Sequence, residues 1–233
     1  MKRSEVNRAI AVAASAFAEA HIHLPPFASW RPSDWREHRE VALELMNASL
    51  GWDVVEWRPG EFAKHGLVLF TLRNVLRTSE SGPPDGYAEK VMLIRAGQET
   101  PMHKHLRKME DLINRGGGDL IIELRVAPGD RVDRHVLVNG VSRSSVREGE
   151  TVALSPGESI TLPPRVIHAF YASGGDVIAG EVSTYNDDAS DNDFAKHTER
   201  YPRLEEDEPP ERSLVADYPR IIESLRSDSD ELS

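Results

Sequence analysis

The spacing of apolar residues along the chain changes near residue 52. Before that point it is helical, and one face of a predicted first helix carries Val6, Ile10, Ala13, Ala14 and Phe17. A second helix is predicted to begin near Ser33, a candidate cap just after Pro32. Its buried face is predicted to carry Trp35, Val41 and Leu45. The segment HLPPFASW between the two helices is not expected to be regular helix, because paired prolines interrupt one.

Short runs rich in β-branched and aromatic residues occupy residues 52–184. Glycine, proline or Asn-Gly separates these runs, which are WDVVEW, LVLFTLRNVL, YAEKVMLIRA, DLIIELRV, HVLVNGVSRSSV, TVALSP, SITLP, VIHAFYA and VIAGEVST. Asn139-Gly140 is typical of a two-residue hairpin turn. Because no helical pattern separates the runs, they predict an all-β fold, an antiparallel sandwich or barrel.

The chain becomes polar after the last of these runs, and SLVADYPRIIESLRS then predicts a short closing helix. We find no internal repeat and no clear linker. The sequence therefore predicts a single domain over residues 1–233. Its parts are a helical N-terminal extension (1–51), a β-barrel (52–184) and a polar C-terminal segment with a helix (185–233).

Composition limits the class of protein. A chain of 233 residues with 39% hydrophobic and 29% charged residues is expected to be a water-soluble globular protein. The formal charge of −11 argues against nucleic acid as a partner, because phosphate binding requires a basic surface. No apolar stretch reaches the length of a membrane span. The absence of cysteine excludes disulfides and thiolate chemistry and agrees with a cytoplasmic location.

Two histidines and a glutamate lie close together in TPMHKHLRKMED, residues 100–111. If this stretch is extended, His103 and His105 point to the same side, because side chains alternate along a strand. Glu110 follows five residues after His105. Two imidazoles and a carboxylate at one point suit a divalent first-row metal.

The spacing from Gly97 through these residues to Gly117 is that of the first cupin motif. The second motif is supplied by GESITLPPRVIHAFYA, which departs from the usual pattern at Arg165 and Ala172 and retains His168. We therefore expect a cupin fold, an antiparallel β-barrel or jelly roll. The predicted metal ligands are His103, His105, Glu110 and His168. The other histidines have no partner at ligand spacing and are interpreted as non-ligands: His21, His23, His38, His65, His135 and His197.

A wider resemblance extends beyond the cupin motifs. It is carried by LPPFASW, YAEK, TPMHKHLRKMEDLINRGGGDLIIEL, LSPGESITLPP, GEVSTYNDDASDNDF and EEDEP, which together resemble the D-lyxose isomerase family over nearly the entire chain. The resemblance implies a metal-dependent aldose–ketose isomerase, most often with Mn²⁺, although Co²⁺, Fe²⁺, Ni²⁺ or Zn²⁺ would suit the same ligands. Such enzymes interconvert D-lyxose with D-xylulose and D-mannose with D-fructose. They are usually homodimers.

Aldose–ketose exchange needs a group that moves a proton between two carbons. Glu110 at the metal could double as that base. Glu181 alternates with small residues on a late strand and is a candidate inward acid, and Lys90 could donate to a sugar oxygen. These two roles rest on alternation together with the resemblance; alternatively, Glu181 could pair with an arginine and Lys90 could lie on the outer face. Further candidate substrate contacts are Phe170, Asp187, Asp193 and Trp30.

Three alternatives stay open at this point. An oxygen-using cupin could hold iron with the same three histidines and one glutamate, and a non-catalytic cupin could merely bind a sugar. A phosphosugar isomerase would need converging cationic donors, for which Arg165 is the one candidate between residues 160 and 194.

Overall fold

The computed structural model describes residues 1–77, 85–125, 136–143, 149–188, 190–194 and 203–230. Its α-helices are α1 (Arg3–Glu19), α2 (Pro32–Glu37), α3 (Arg39–Asn47), α4 (Phe62–His65) and α5 (Tyr218–Asp230). Its strands are β1 (Gly51–Glu56), β2 (Gly66–Arg77), β3 (Asp85–Ile94), β4 (His103–His105), β5 (Glu110–Arg125), β6 (Val136–Val138), β7 (Val141–Arg143), β8 (Glu150–Leu154), β9 (Ser159–Leu162), β10 (Ile167–Thr184) and β11 (Asn192–Phe194). The predicted hairpin turn at Asn139-Gly140 joins β6 to β7. In the described part of the chain, no helix combines the length and the apolar character that crossing a bilayer requires.

Two long strands, β5 and β10, form the centre of the fold and pair antiparallel along most of their length. One half of this pair lies in a sheet of order β1-β2-β3-β10-β5-β9-β6-β7. The other half has different neighbours: β4 lies beside β10, β11 lies beside β4, and β8 lies beside β5. All strand pairs among the described residues are antiparallel, so the predicted all-β antiparallel fold is confirmed.

Glycines allow the central pair to bend where its neighbours change. The register of β10 against β5 shifts between Ser173 and Val177, opposite Gly117. Gly117 has φ +97°, and a Cβ there would lie 2.0 Å from the Asp176 carbonyl oxygen, so no other residue fits. The sequence runs VIHAFYA and VIAGEVST are therefore one strand interrupted by a bulge, and not two strands joined by a turn.

Three apolar clusters stabilise this arrangement. The largest lies between the two halves of the sheet and includes Leu112, Ile122 and Val177. A second packs α1 against β1, β2 and β3, where Val6, Ile10, Ala13 and Phe17 are buried as the helical spacing predicted. The third joins α2 and α3 to α5, which forms at the predicted position.

The predicted second helix is divided into α2 and α3, and part of its predicted buried face is wrong. The break falls at His38 (φ −100°, ψ 39°), which turns α3 relative to α2. Val41 is consequently 54% exposed, Leu45 is only half-buried, and Ala42 and Met46 are the buried residues of α3. Residue Arg31 caps α2, since its N–H donates to the Asp34 carboxylate at 2.8 Å and Pro32 occupies the first helical position. Ser33 is therefore not the cap.

Candidate metal centre and active site

Three histidines from β4 and β10 converge inside the fold. His103 and His105 project from the same side of β4, as alternation predicted, and His103 pairs with His168 of β10. The ring centroids of His103 and His168 lie 4.3 Å apart. One nitrogen of each ring lies within 4.8 Å of the other two. Within the described residues, no other group of three histidines or carboxylates meets this criterion for a metal site.

Contacts of the Nδ1 atoms with backbone carbonyl groups fix the orientation of the His103 and His168 rings. The Nδ1 of His103 lies 2.8 Å from the Pro101 carbonyl oxygen, and the Nδ1 of His168 lies 3.1 Å from that of Val166. Because a carbonyl oxygen can only accept, both Nδ1 atoms must carry the proton, and Nε2 presents a lone pair. Burial, followed by the adjacent His168 and His105, holds the pKa of His103 well below its usual range. A neutral imidazole is the form that binds a metal.

Glu110, the first residue of β5, lies beside two of these histidines. Its Oε1 lies 2.9 Å from the His168 Nε2 and 3.2 Å from the His105 Nε2. The Glu110 Oε1 and the His168 Nε2 are nevertheless buried without a well-formed hydrogen bond. Buried polar atoms are almost always satisfied, and atoms that direct lone pairs at one point fit a shared cation. The residues present therefore fit a divalent metal.

A buried lysine links Glu110 to a second carboxylate. The Lys108 Nζ lies 2.9 Å from the Glu110 Oε2 and donates to the Glu181 Oε1 at 2.7 Å. Burial alone would raise the pKa of Glu110, but Lys108 and His105 outweigh it and hold this pKa well below the usual range. The pKa of Glu181 is likewise lowered, against the effect of burial, by Lys108 and Lys90. Burial disfavours the charged lysine, yet the two carboxylates raise the pKa of Lys108. At neutral pH all three groups are charged.

Lys90 and Glu181 are direct partners on adjacent strands, β3 and β10. Both side chains are buried and face the interior, so Lys90 does not lie on the outer face. The Lys90 Nζ donates to the Asn186 Oδ1 at 2.8 Å and lies 3.5 Å from the Glu181 Oε1. Among the described residues, the ion-pair partners of Glu181 are Lys90 and Lys108, and not the arginine that the sequence left open.

These groups line one cavity of about 50 Å³. Its apolar wall contains Val55, Trp57, Leu67, Leu69, Met92, Phe170 and Phe194. Its polar side contains Lys90, Thr100, Lys108, Glu110, Glu181, Asp188 and Asn192 in addition to His103 and His105. Phe170 therefore lies in the wall of the same cavity as His103 and His105.

Three predicted substrate contacts lie elsewhere. Asp193 faces away from the cavity and pairs with Lys104 at 3.1 Å, because the alternate residues of β11 face inward. Asp187 is near Arg107 at 3.4 Å and bonds to Ser190 outside the cavity lining. Trp30 packs on Trp35 with ring centroids 5.2 Å apart and does not line the cavity. The structure does not support substrate contacts for these three residues within one chain.

Several residues of the site were missed by the sequence reasoning: Lys108, Asn186, Asp188, Asn192 and Phe194. Lys108 lies in the turn between β4 and β5, where no alternation applies, although its position between two predicted ligands was a usable signal. Arg165 is exposed, has φ +68° and does not line the cavity. Of the six histidines interpreted as non-ligands, His135 and His197 lie outside the described residues, and the other four are not part of this cluster.

Comparison with known proteins agrees with this architecture. The sequence matches the D-lyxose isomerase family profile over residues 1–218. A D-lyxose/D-mannose isomerase of Escherichia coli O157:H7 is 45% identical over 227 residues, covering 94% of this chain and 98% of that protein. The corresponding protein of Serratia proteamaculans is 44% identical over 233 residues, covering 95% of this chain and 100% of that protein.

Solved structures show the same fold at lower sequence identity. Ligand-free L-ribose isomerase of Cellulomonas parahominis matches with a TM-score of 0.60 and 17% identity, covering 88% of this chain and 98% of that one. L-ribose isomerase of Geodermatophilus obscurus matches with a TM-score of 0.58 and 17% identity, covering 87% and 98%. The fold and the family match together define a sugar isomerase of cupin-like architecture. The chain belongs to the D-lyxose isomerase family.

Proposed function

We propose that this protein is a metal-dependent isomerase of free sugars that converts D-lyxose to D-xylulose and D-mannose to D-fructose. The substrates are those in the names of its relatives at 45% and 44% identity. The observation that carries the proposal is the buried array in which Lys108 joins Glu110 to Glu181 beside three imidazoles. In support of the proposal, a carboxylate that could carry a proton lies next to three histidines that could hold a Lewis acid.

The residues that would hold the metal are His103, His105, His168 and Glu110. When bound, a divalent ion would polarise the oxygens on C1 and C2 of an open-chain sugar. Three imidazoles and one carboxylate suit Mn²⁺ and would also accept Co²⁺, Fe²⁺, Ni²⁺ or Zn²⁺.

Glu181 is the proposed proton carrier. Its lowered pKa keeps it ionised at neutral pH, and it is outside the proposed ligand set, so its carboxylate can accept a proton. In the aldose, Glu181 takes the proton from C2, the electron pair forms the C1–C2 double bond, and the C1 carbonyl oxygen takes a proton from the Lys108 ammonium group. The O2–H of the resulting enediol then returns a proton to the Lys108 amine, while C1 takes a proton from the Glu181 carboxyl, which yields the ketose and restores both side chains.

Lys108 and Lys90 are proposed to bind and stabilise the sugar oxygens. Lys108 carries a positive charge next to both carboxylates and can donate to the oxygen on which negative charge develops. The cavity of about 50 Å³ has room for a few water-sized groups, which suits the reacting end of an open-chain sugar. Phe170 and Trp57 wall this space.

The cavity favours an unphosphorylated sugar over the alternatives. No arginine lines it in the described ranges of the chain, and its two lysines lie beside carboxylates. A phosphate would therefore meet negative charge without a bidentate partner. An oxygen-using iron enzyme would not need the buried charged array, which provides proton transfer.

The test uses protein stripped with a chelator and reloaded with single divalent metals. A panel of pentoses, hexoses and their phosphates is assayed for aldose–ketose conversion, both in air and without oxygen. We expect conversion of D-lyxose and D-mannose with Mn²⁺, none in the stripped protein, and no dependence on oxygen. Turnover that requires oxygen, or that occurs only with sugar phosphates, would overturn the proposal.

A further inference from the structure

A single amide oxygen joins the two lysines of the cavity. The Asn186 Oδ1 accepts hydrogen bonds from the Lys90 Nζ at 2.8 Å and from the Lys108 Nζ at 3.4 Å. Both ammonium groups also approach one oxygen of Glu181, the Oε1, at 3.5 Å and 2.7 Å respectively. All four side chains are buried. Asn186 therefore lies at the junction of the groups that surround the proposed proton carrier.

The chemistry of the amide suits this place. An ammonium group only donates hydrogen bonds, so the Asn186 atom that faces both lysines must be the oxygen. By accepting from both ammonium groups, this oxygen bridges two like charges. This matters because buried charges are costly unless they are paired and hydrogen-bonded. Glu110 and Glu181 already supply negative charge to Lys108.

Lys90 depends on this amide more than Lys108 does. Lys108 keeps two short carboxylate contacts, at 2.7 Å and 2.9 Å. The carboxylates nearest to Lys90, those of Glu181 and Asp188, are 3.5 Å and 3.6 Å away, longer than an ordinary hydrogen bond. The bond to Asn186 at 2.8 Å is thus the short contact that fixes the Lys90 ammonium group.

The backbone of Asn186 is itself held in place by Asn74 of β2. The Asn186 N–H donates to the Asn74 Oδ1 at 3.0 Å, and the Asn74 Nδ2 donates back to the Asn186 carbonyl oxygen at 3.0 Å. The same Nδ2 donates to the Ala48 carbonyl oxygen at 3.2 Å, which anchors the pair to the end of α3. Both asparagines are buried. This reciprocal pair fixes a residue that follows β10 and would otherwise belong to a loop.

We infer that Asn186 is a positioning residue of the isomerase. Its amide oxygen holds the ammonium groups of Lys90 and Lys108 next to the Glu181 carboxylate. The inference rests on the proposed function, because it assigns a catalytic purpose to the position of the two lysines. Asn186 does not itself line the cavity, so it acts through the lysines and not on the sugar.

The principal test compares Asn186→Ala and Asn186→Asp with the wild-type enzyme loaded with Mn²⁺. We expect Asn186→Ala to lower kcat by about 10- to 100-fold, because it removes hydrogen bonds to charged groups, and to change KM by less than about threefold. Asn186→Asp keeps an oxygen in the same place, and its kcat should be at least about tenfold higher than that of Asn186→Ala. Asn47→Ala removes an exposed amide at the end of α3 and is the matched control, with kcat unchanged.

Melting temperature and bound metal are measured for every variant. If the alanine variant does not fold, Asn186→Leu, which fills the space but cannot accept a hydrogen bond, replaces it. A kcat within about twofold of wild type in the folded variant overturns the inference, as does an aspartate variant that is no better than the alanine variant.

A second measurement does not depend on isomerase activity. Trace acetylation with acetic anhydride, followed by mass spectrometry, compares the reactivity of Lys90 with that of the exposed Lys64. We expect Lys90 to react at least about fivefold faster in Asn186→Ala than in wild type, because its short hydrogen bond is lost. Unchanged labelling would overturn the inference. A wild-type protein inactive on every sugar would instead refute the proposed function, and the labelling result would still report on the lysine.

Discussion

Removing the positive charge of Lys108 gives the sharpest test of the buried array. The change is Lys108→Met, which keeps an unbranched side chain of similar volume and leaves Glu110 and Glu181 buried without the cation between them. The effect is measured on metal-free protein, kept with a chelator, so that metal binding does not mask the loss.

The size of the effect follows from two contacts, at 2.9 Å to Glu110 and 2.7 Å to Glu181. At an effective dielectric constant of about 20, unit charges about 3 Å apart attract by roughly 5 to 6 kcal/mol. Desolvation of the three buried groups offsets much of this attraction. Loss of one partner from a buried ion pair typically costs about 3 to 5 kcal/mol. We therefore expect Lys108→Met to lower the free energy of unfolding at pH 7 by about 3 to 5 kcal/mol.

Lys104→Met is the matched control, four residues earlier in the chain. Lys104 is only half-buried and pairs with the exposed Asp193 at 3.1 Å, so its loss should cost less than about 1 kcal/mol. The assay is urea unfolding followed by circular dichroism at several pH values. A loss below about 1 kcal/mol for Lys108→Met, equal to that of the control, would falsify the assignment of a buried charged array.

The pH dependence has a definite sign. The pKa values of Glu110 and Glu181 are lowered in the folded protein, so their contribution is present above the unfolded carboxyl pKa and is lost as pH falls. In Lys108→Met, burial acts unopposed by that lysine and raises both pKa values relative to wild type. The stability difference between the two proteins should therefore narrow as pH falls below about 4.5. A constant difference across this range would contradict the assignment.

Three further predictions concern the reaction and the turn after β9. Glu181→Gln should lower kcat by about 10²- to 10⁴-fold with metal content unchanged, whereas Glu110→Gln should lose both tight metal binding and activity. Conversion of D-lyxose in D₂O should place deuterium on C1 of D-xylulose, detected by NMR, because the proton on a carboxyl group exchanges with solvent. Arg165→Gly should raise the free energy of unfolding by up to about 1 kcal/mol in urea unfolding, because Arg165 has φ +68°, and should leave kcat unchanged because the residue is exposed.

Each of these has a contrary outcome. Loss of metal from Glu181→Gln would place that carboxylate among the ligands, and full activity of Glu110→Gln would remove it from them. A product free of deuterium would indicate direct hydride transfer from C2 to C1. A fall in activity of Arg165→Gly on sugar phosphates, with no effect on free sugars, would favour the phosphosugar alternative.

Regular strands made much of the site predictable. Alternation has a fixed period of two, so it placed His103 with His105 and directed Glu181 inward once these segments were assigned as strands. The cupin spacing then joined His168 to the pair across the chain. The assignment of Lys90 to the interior follows from the same two-residue alternation, and it agrees with the direct pairing of Lys90 with Glu181.

Irregular segments were not predictable in the same way. The direction of Lys108 depends on a turn whose backbone N–H groups at Arg107 and Lys108 donate to Asp191, 2.8 Å and 3.0 Å away and more than 80 residues later. Asp193 was assigned from composition alone, and the register of β11 against β4 turns it outward. Gly174 and Gly175 resembled a turn between two strands. Glycine is typical of both turns and bulges, so the sequence did not distinguish the two.

The position of β10 in the sheet has a consequence for biosynthesis. β10 lies between β3 and β5, although it follows both in the chain. During synthesis from the N-terminus, each of those strands therefore presents an unsatisfied edge until residue 184 has emerged from the ribosome. Nascent chains that stall before residue 167 would expose two long, apolar edges at once, and we expect them to be clients of chaperones and prone to aggregate.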